Sequence, residues 1–62
     1  MKSYNSRELM KLAKKQGFWL DRVNGDHYIF VNSDGIVVTI PHPKNNYPTG
    51  TQRSILKKLG LL

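Results

Sequence analysis

Two imidazoles, His27 and His42, are the side chains best suited to chemistry in this 62-residue chain. An imidazole titrates near neutral pH and so gives or takes a proton readily there. Few other groups compete. The chain has no Cys, which excludes thiolate metal sites and disulfides. Its four acids, Glu8, Asp21, Asp26 and Asp34, are scattered without metal-ligand spacing and are too few for a two-metal centre. The expected metal and cofactor content is therefore none. Ten Lys and Arg against four acids give a formal charge of +6, which favours a polyanion such as nucleic acid, or an acidic protein. RNA brings its own nucleophile, the 2′-OH. Attack of that oxygen on the adjacent phosphorus needs a base, an acid for the leaving oxygen and positive charge near the phosphoryl oxygens.

His27 follows Asn24-Gly25, the strongest hairpin signal in the chain. With Asn24 and Gly25 as the two loop residues of a type I′ turn, Val23 pairs with Asp26 and Arg22 with His27. Opposed residues share a face, so Arg22 stands beside the imidazole, placed to hold a phosphate through two hydrogen bonds. The same register gathers Trp19, Asp21, Val23, Tyr28 and Phe30 on the other face, and alternation does not say which face the helices cover. His42 lies between Pro41 and Pro43, which stiffen its backbone, and near Lys44 in a loop poor in acids. It is a candidate general acid or phosphate contact. Thr49, Gly50 and Thr51 open a helix whose free N–H groups suit a phosphate, with Gly50 allowing close approach; Arg53 follows on the same helix. Each feature has a plainer alternative. His27 can be a half-buried strand histidine, and Arg22 an ion pair with Asp21 or Asp26. His42 can be an exposed loop residue, the threonines simple caps, and Trp19, Tyr28, Phe30 and Tyr47 core.

The elements that must position these groups follow from spacing. Ser6 or Asn5 can cap a helix, and Asn5 with Glu8 has capping-box spacing, ahead of an apolar stripe of Leu9, Met10, Leu12 and Ala13; Gly17 suits the position just past the helix. This predicts a helix over about 6–16. Residues 18–23, 26–32 and 36–40 read as strands, the last β-branched throughout and stopped by Pro41 and Pro43. A second helix starts at Thr49 or Thr51, where Thr49 and Gln52 have capping-box spacing, and ends at Gly60. Helix, three strands, helix implies a two-layer α+β fold. A three-stranded antiparallel sheet would be covered on one face by both helices, in the order of a double-stranded-RNA-binding domain. The length fits one domain, 1–62, with an ordered core over roughly 6–60. No apolar run approaches the ~20 residues that cross a membrane. The opening MKSYNSRELM lacks a signal-peptide core, so the expected location is the cytoplasm.

Two blocks of residues resemble a known family. Gly17-Phe18, Arg22 and Gly25-Asp26-His27 resemble the G-[FW]…R…G-S-H signature of HicA toxins. Thr39-Ile40-Pro41-His42-Pro43, then Pro48, Gly50-Thr51, Ser54-Ile55-Leu56-Lys57 and Leu59-Gly60-Leu61, resemble the family's second half, and the two blocks together span nearly the whole chain. The resemblance implies an mRNA-cleaving toxin of a type II toxin–antitoxin pair with a double-stranded-RNA-binding-like fold. It implies one catalytic histidine, mapping onto His27, and inhibition by a HicB-type antitoxin. Asp26 stands where the family usually has Ser; a carboxylate there favours a charged imidazole and repels a substrate phosphate. The expected site is therefore His27 as the catalytic group, with Arg22, Gly25, Lys44, His42, Gly50 and Arg53 as RNA contacts. Two alternatives stand beside this one. One is a non-catalytic module that spans an A-form minor groove; the other is a small interaction protein with an acidic partner.

Overall fold

The computed structural model describes residues 2–62. Its order is α1 (Ser6–Lys15), β1 (Trp19–Asn24), β2 (His27–Val31), β3 (Val37–Pro41) and α2 (Thr49–Lys58), with the strands in one antiparallel sheet of order β1-β2-β3. This is the α+β arrangement implied by the residue pattern. Helix α1 begins as expected. The Asn5 side chain accepts from the Glu8 N–H at 2.8 Å, and Glu8 Oε1 accepts from the Asn5 N–H at 2.9 Å. Gly17, at φ +87°, takes the left-handed conformation that lets the chain leave the helix.

The start of α2 departs from expectation. Its N-cap is Pro48, with no side-chain cap, so the Thr49–Gln52 box does not form. Gln52 has other partners: its Oε1 accepts from the Tyr4 N–H at 2.8 Å and its Nε2 donates to the Lys2 carbonyl at 2.6 Å. A buried amide with both ends satisfied ties the N-terminal segment to α2.

The hairpin register also differs. Asn24 pairs with His27, leaving Gly25 and Asp26 as the two loop residues. Only Gly25 has positive φ, at +63°, which is the requirement of a II′ turn rather than I′ and spares Asn24 a strained conformation. Arg22 is consequently opposite Ile29, not His27. The register shifts again between Leu20 and Arg22, leaving Asp21 unpaired as a bulge. Beyond the bulge the faces exchange: Leu20, not Trp19, lies opposite Phe30, and Trp19 lies opposite Val31.

Packing identifies the covered face. Phe30, Val38 and Ile40 are buried in one cluster with Leu9 and Ala13 of α1, Ile55 and Leu56 of α2, and Phe18, Tyr47 and Leu59. The helices therefore lie over Tyr28 and Phe30 of β2. Alternation sends His27, Ile29 and Val31 to the opposite, open face, where Asn24 and Pro41 flank His27, Arg22 and Thr39 flank Ile29, itself only 8 % exposed, and Trp19 and Val37 flank Val31. Pro41, expected to stop β3, is its last residue. Its position needs no N–H, because the strand is at the sheet edge.

Candidate functional site

His27 is the first residue of β2, where the chain leaves the tight turn. Its side chain is 58 % exposed on the open face, between Asn24 on β1 and Pro41 on β3. Asp26 Oδ1 is 3.6 Å from His27 Nε2, close enough to attract a charged imidazole but too long for a hydrogen bond. The imidazole is thus open to a substrate and held at a rigid corner by Gly25, whose φ no side-chain-bearing residue adopts cheaply.

Arg22 shares this face, two positions along β2 from His27, so the two are diagonal neighbours rather than a direct pair. Its Nη1 donates to Asp21 Oδ2 at 2.7 Å. The bulge explains the contact, since two successive residues that oppose one partner turn their side chains the same way. A phosphate approaching Arg22 competes with that carboxylate.

His42 is on the other side of the sheet. Its ring meets the Tyr28 ring edge-on, with centroids 4.8 Å apart at 83°, and its Nδ1 is 2.6 Å from Ser6 Oγ. Ser6 is buried and also accepts the Lys44 N–H at 3.0 Å, while the Ser6 N–H donates to the Lys44 carbonyl at 2.9 Å. The Tyr47 hydroxyl donates to the Pro41 carbonyl. Burial pushes the Tyr47 phenol above its ordinary value, with the Ser6 hydroxyl opposing that rise. So the loop after β3 is fastened to the start of α1 at several points, and the His42 N–H joins it to the hairpin by donating to the Asp26 carbonyl at 2.8 Å. The two histidines occupy one end of the domain but opposite faces. His42 is accordingly neither a free loop residue nor a face-sharing partner for His27.

The remaining candidates divide by location. Lys44 lies beside His42 in a cleft of about 110 Å³ that Arg7 also lines. Gly50 lines a separate groove of about 360 Å³ between α2 and β3, with Thr39 and Lys58. A Cβ at Gly50 would meet nothing within 4 Å, so its backbone is open to approach. Arg53 is exposed on α2. The structure thus gathers Arg22, Gly25 and His27 on the hairpin and His42 with Lys44 at the loop, and it leaves Gly50 and Arg53 on another side. Among the described residues, no three metal-ligating side chains gather. Ser6 and Arg7 escaped the sequence reading as site residues: Ser6 meets His42 and Lys44 across 36 and 38 residues, and Arg7 comes to the cleft only through folding, which no local pattern signals.

A family model described as the HicA toxin of bacterial toxin–antitoxin systems matches residues 6–61, and so takes in the hairpin, the loop and both helices. The chain belongs to the HicA toxin family. No curated protein matches it. As a HicA-family member it is the toxin half of a toxin–antitoxin system, and an antitoxin partner goes with it. The family is one of mRNA-cleaving toxins. Among the described residues, no helix of this HicA-family chain is long and apolar enough to cross a membrane.

Proposed function

We propose that this chain is a metal-independent endoribonuclease that cuts mRNA in the cytoplasm, with His27 as its catalytic residue, and that a HicB-type antitoxin silences it by covering His27. The observation that carries the reading is an exposed imidazole on the open face, at the hairpin corner, in a Gly25-Asp26-His27 run that resembles the family's G-S-H. Neutral His27 takes the proton of a 2′-OH. The 2′ oxygen bonds to phosphorus, the bond from phosphorus to the 5′ oxygen breaks, and the proton passes to that leaving oxygen. The products are a 2′,3′-cyclic phosphate end and a 5′-hydroxyl end. Proton transfer of this kind contributes about a hundred- to ten-thousand-fold.

The test is induced expression of wild type and His27→Ala, with growth and transcript integrity followed together, beside purified protein acting on RNA. Arrested growth, broken transcripts and cyclic-phosphate ends, all lost in His27→Ala, are expected. Arrest with intact transcripts sinks the reading. The rival, a non-catalytic double-stranded-RNA-binding module, draws support from the basic residues crowded on the helices; it expects His27→Ala to remain as toxic as wild type.

A further inference from the structure

Cations and acids are sorted between the layers. Of ten Lys and Arg, nine belong to the helices, the N-terminal segment and the loop after β3: Lys2, Arg7, Lys11, Lys14, Lys15, Lys44, Arg53, Lys57 and Lys58. Glu8 is the acid among them. The sheet and its turns hold the tenth cation, Arg22, together with Asp21, Asp26 and Asp34. Arg22 is already occupied by Asp21 at 2.7 Å. The face that presents His27 is therefore poor at holding a polyanion, and a substrate cut there must be gripped elsewhere.

We infer that the grip is the cleft beside the loop after β3, where Arg7 and Lys44 hold a phosphate of the RNA strand, with His42 on the cleft wall. Four observations support this. The cleft, about 110 Å³, is lined by Arg7, Lys44, His42, Asn5 and Asn45 and by no acid. Among the described residues neither Arg7 nor Lys44 forms an ion pair, whereas Lys2 approaches Glu8 and Arg22 holds Asp21. The loop wall is fixed before any ligand arrives: Ser6 and the Lys44 main chain exchange two hydrogen bonds, and the Ser6 hydroxyl also holds His42 Nδ1. Fixed walls lower the ordering cost of binding. Finally, the loop that forms the cleft leaves the sheet at Pro41, the residue opposite His27, and is bonded to the turn through the His42 N–H. An RNA strand gripped in the cleft passes over this end of the domain and brings another of its phosphodiesters to His27 on the far face. Arg7 thus joins Lys44 and His42 as a substrate-binding residue.

This rests on the ribonuclease reading, and the test separates the two. A single-stranded 2′-O-methyl RNA has no free 2′-OH, so the wild-type protein binds it without cutting, and binding is measured against salt. Two paired variants are compared, Arg7→Ala/Lys44→Ala and Lys57→Ala/Lys58→Ala, with melting temperature checked for each. The cleft pair is expected to weaken binding more than tenfold at ~0.1 M salt and to flatten the slope of log affinity against log salt by about 1.4, as two lost phosphate contacts on a single strand imply. The helix pair is expected to change the slope by half of that or less. Equal losses from both pairs would mean a diffuse basic surface and would overturn the cleft. So would an unchanged cleft variant, or poly-glutamate displacing the RNA as well as unlabelled RNA does. Absence of cutting of ordinary RNA by wild type would fell the ribonuclease reading alone, because the binding slopes are read without cleavage.

Discussion

The two sides of this sheet are one residue apart along each strand, yet they differ in packing, charge and chemistry. On β2, Phe30 is 1 % exposed beneath both helices, while His27 is 58 % exposed on the opposite face. The helix side carries the core and, on its outer surface, most of the positive charge. The open side carries the imidazole, an occupied arginine and an excess of acid. Strand periodicity makes the division possible: alternate residues of a single strand point to opposite faces of the sheet.

The sharpest way to break this comparison uses two truncations three residues apart. Phe30→Ala removes the largest fully buried side chain and should cost about 3–5 kcal/mol, leaving a domain of this size mostly unfolded in thermal or urea melts. His27→Ala should leave stability within about 0.5 kcal/mol while cleavage of RNA falls roughly a hundred- to ten-thousand-fold. Were His27→Ala to melt like Phe30→Ala, the two faces would not be independent.

The loop fastening is the next test, since it joins the layers. Ser6→Ala removes the acceptor for the Lys44 N–H and the partner of His42 Nδ1 in a buried setting. Leaving such groups unpaired should cost about 1–3 kcal/mol in chemical denaturation. His42→Ala in the Ser6→Ala background should add less than it does alone, because the two share a contact. Full additivity would mean that the 2.6 Å contact contributes nothing.

Element type and order were legible in the sequence because they rest on local signals. The Asn5–Glu8 box, Gly17 and the β-branched run of β3 each act within a few residues. The hairpin was legible as a hairpin, but not in register. Asn24-Gly25 suits either the last strand residue with a Gly-first loop or a two-residue I′ loop, and the structure takes the former. The Asp21 bulge has no motif of its own, so the exchange of Trp19 to the open face could not be read from alternation. His27 was legible through its turn and the family signature. The environment of His42 was not, because Ser6 meets it across 36 residues and only packing brings them together.

Alkaline titration sharpens the comparison from the covered side. Tyr47 is buried, and its phenol is raised above the ordinary value of 10.0, first by desolvation. A raised value means that the folded protein keeps this proton when the unfolded chain has already lost it. The resulting stability is whole below about pH 10 and drains away as pH rises from there through the folded value. Tyr47→Phe should lose about 1 kcal/mol at neutral pH, with the bond to the Pro41 carbonyl. Its stability should then fall less steeply above pH 10. Equal alkaline slopes in both proteins would place the phenol in water.

The smallest expected effect tests the charge of the open face. Asp21 and Arg22 are both substantially exposed, at 43 % and 63 % of their side-chain surfaces, and such pairs contribute about 0.2–1 kcal/mol. Stability measured through a double-mutant cycle of Asp21→Asn and Arg22→Gln should show coupling in that range. The informative change is in binding. Asp21→Asn frees the guanidinium and removes a negative charge beside it, so affinity for the 2′-O-methyl RNA should rise about threefold at low salt, and the gain should vanish near 1 M salt as screening takes over. Arg22→Gln in the same background should erase the gain, because the freed cation is its source. A gain that survives loss of Arg22 would assign the effect to the removed carboxylate alone, and no gain at all would mean that the strand never passes over this part of the sheet.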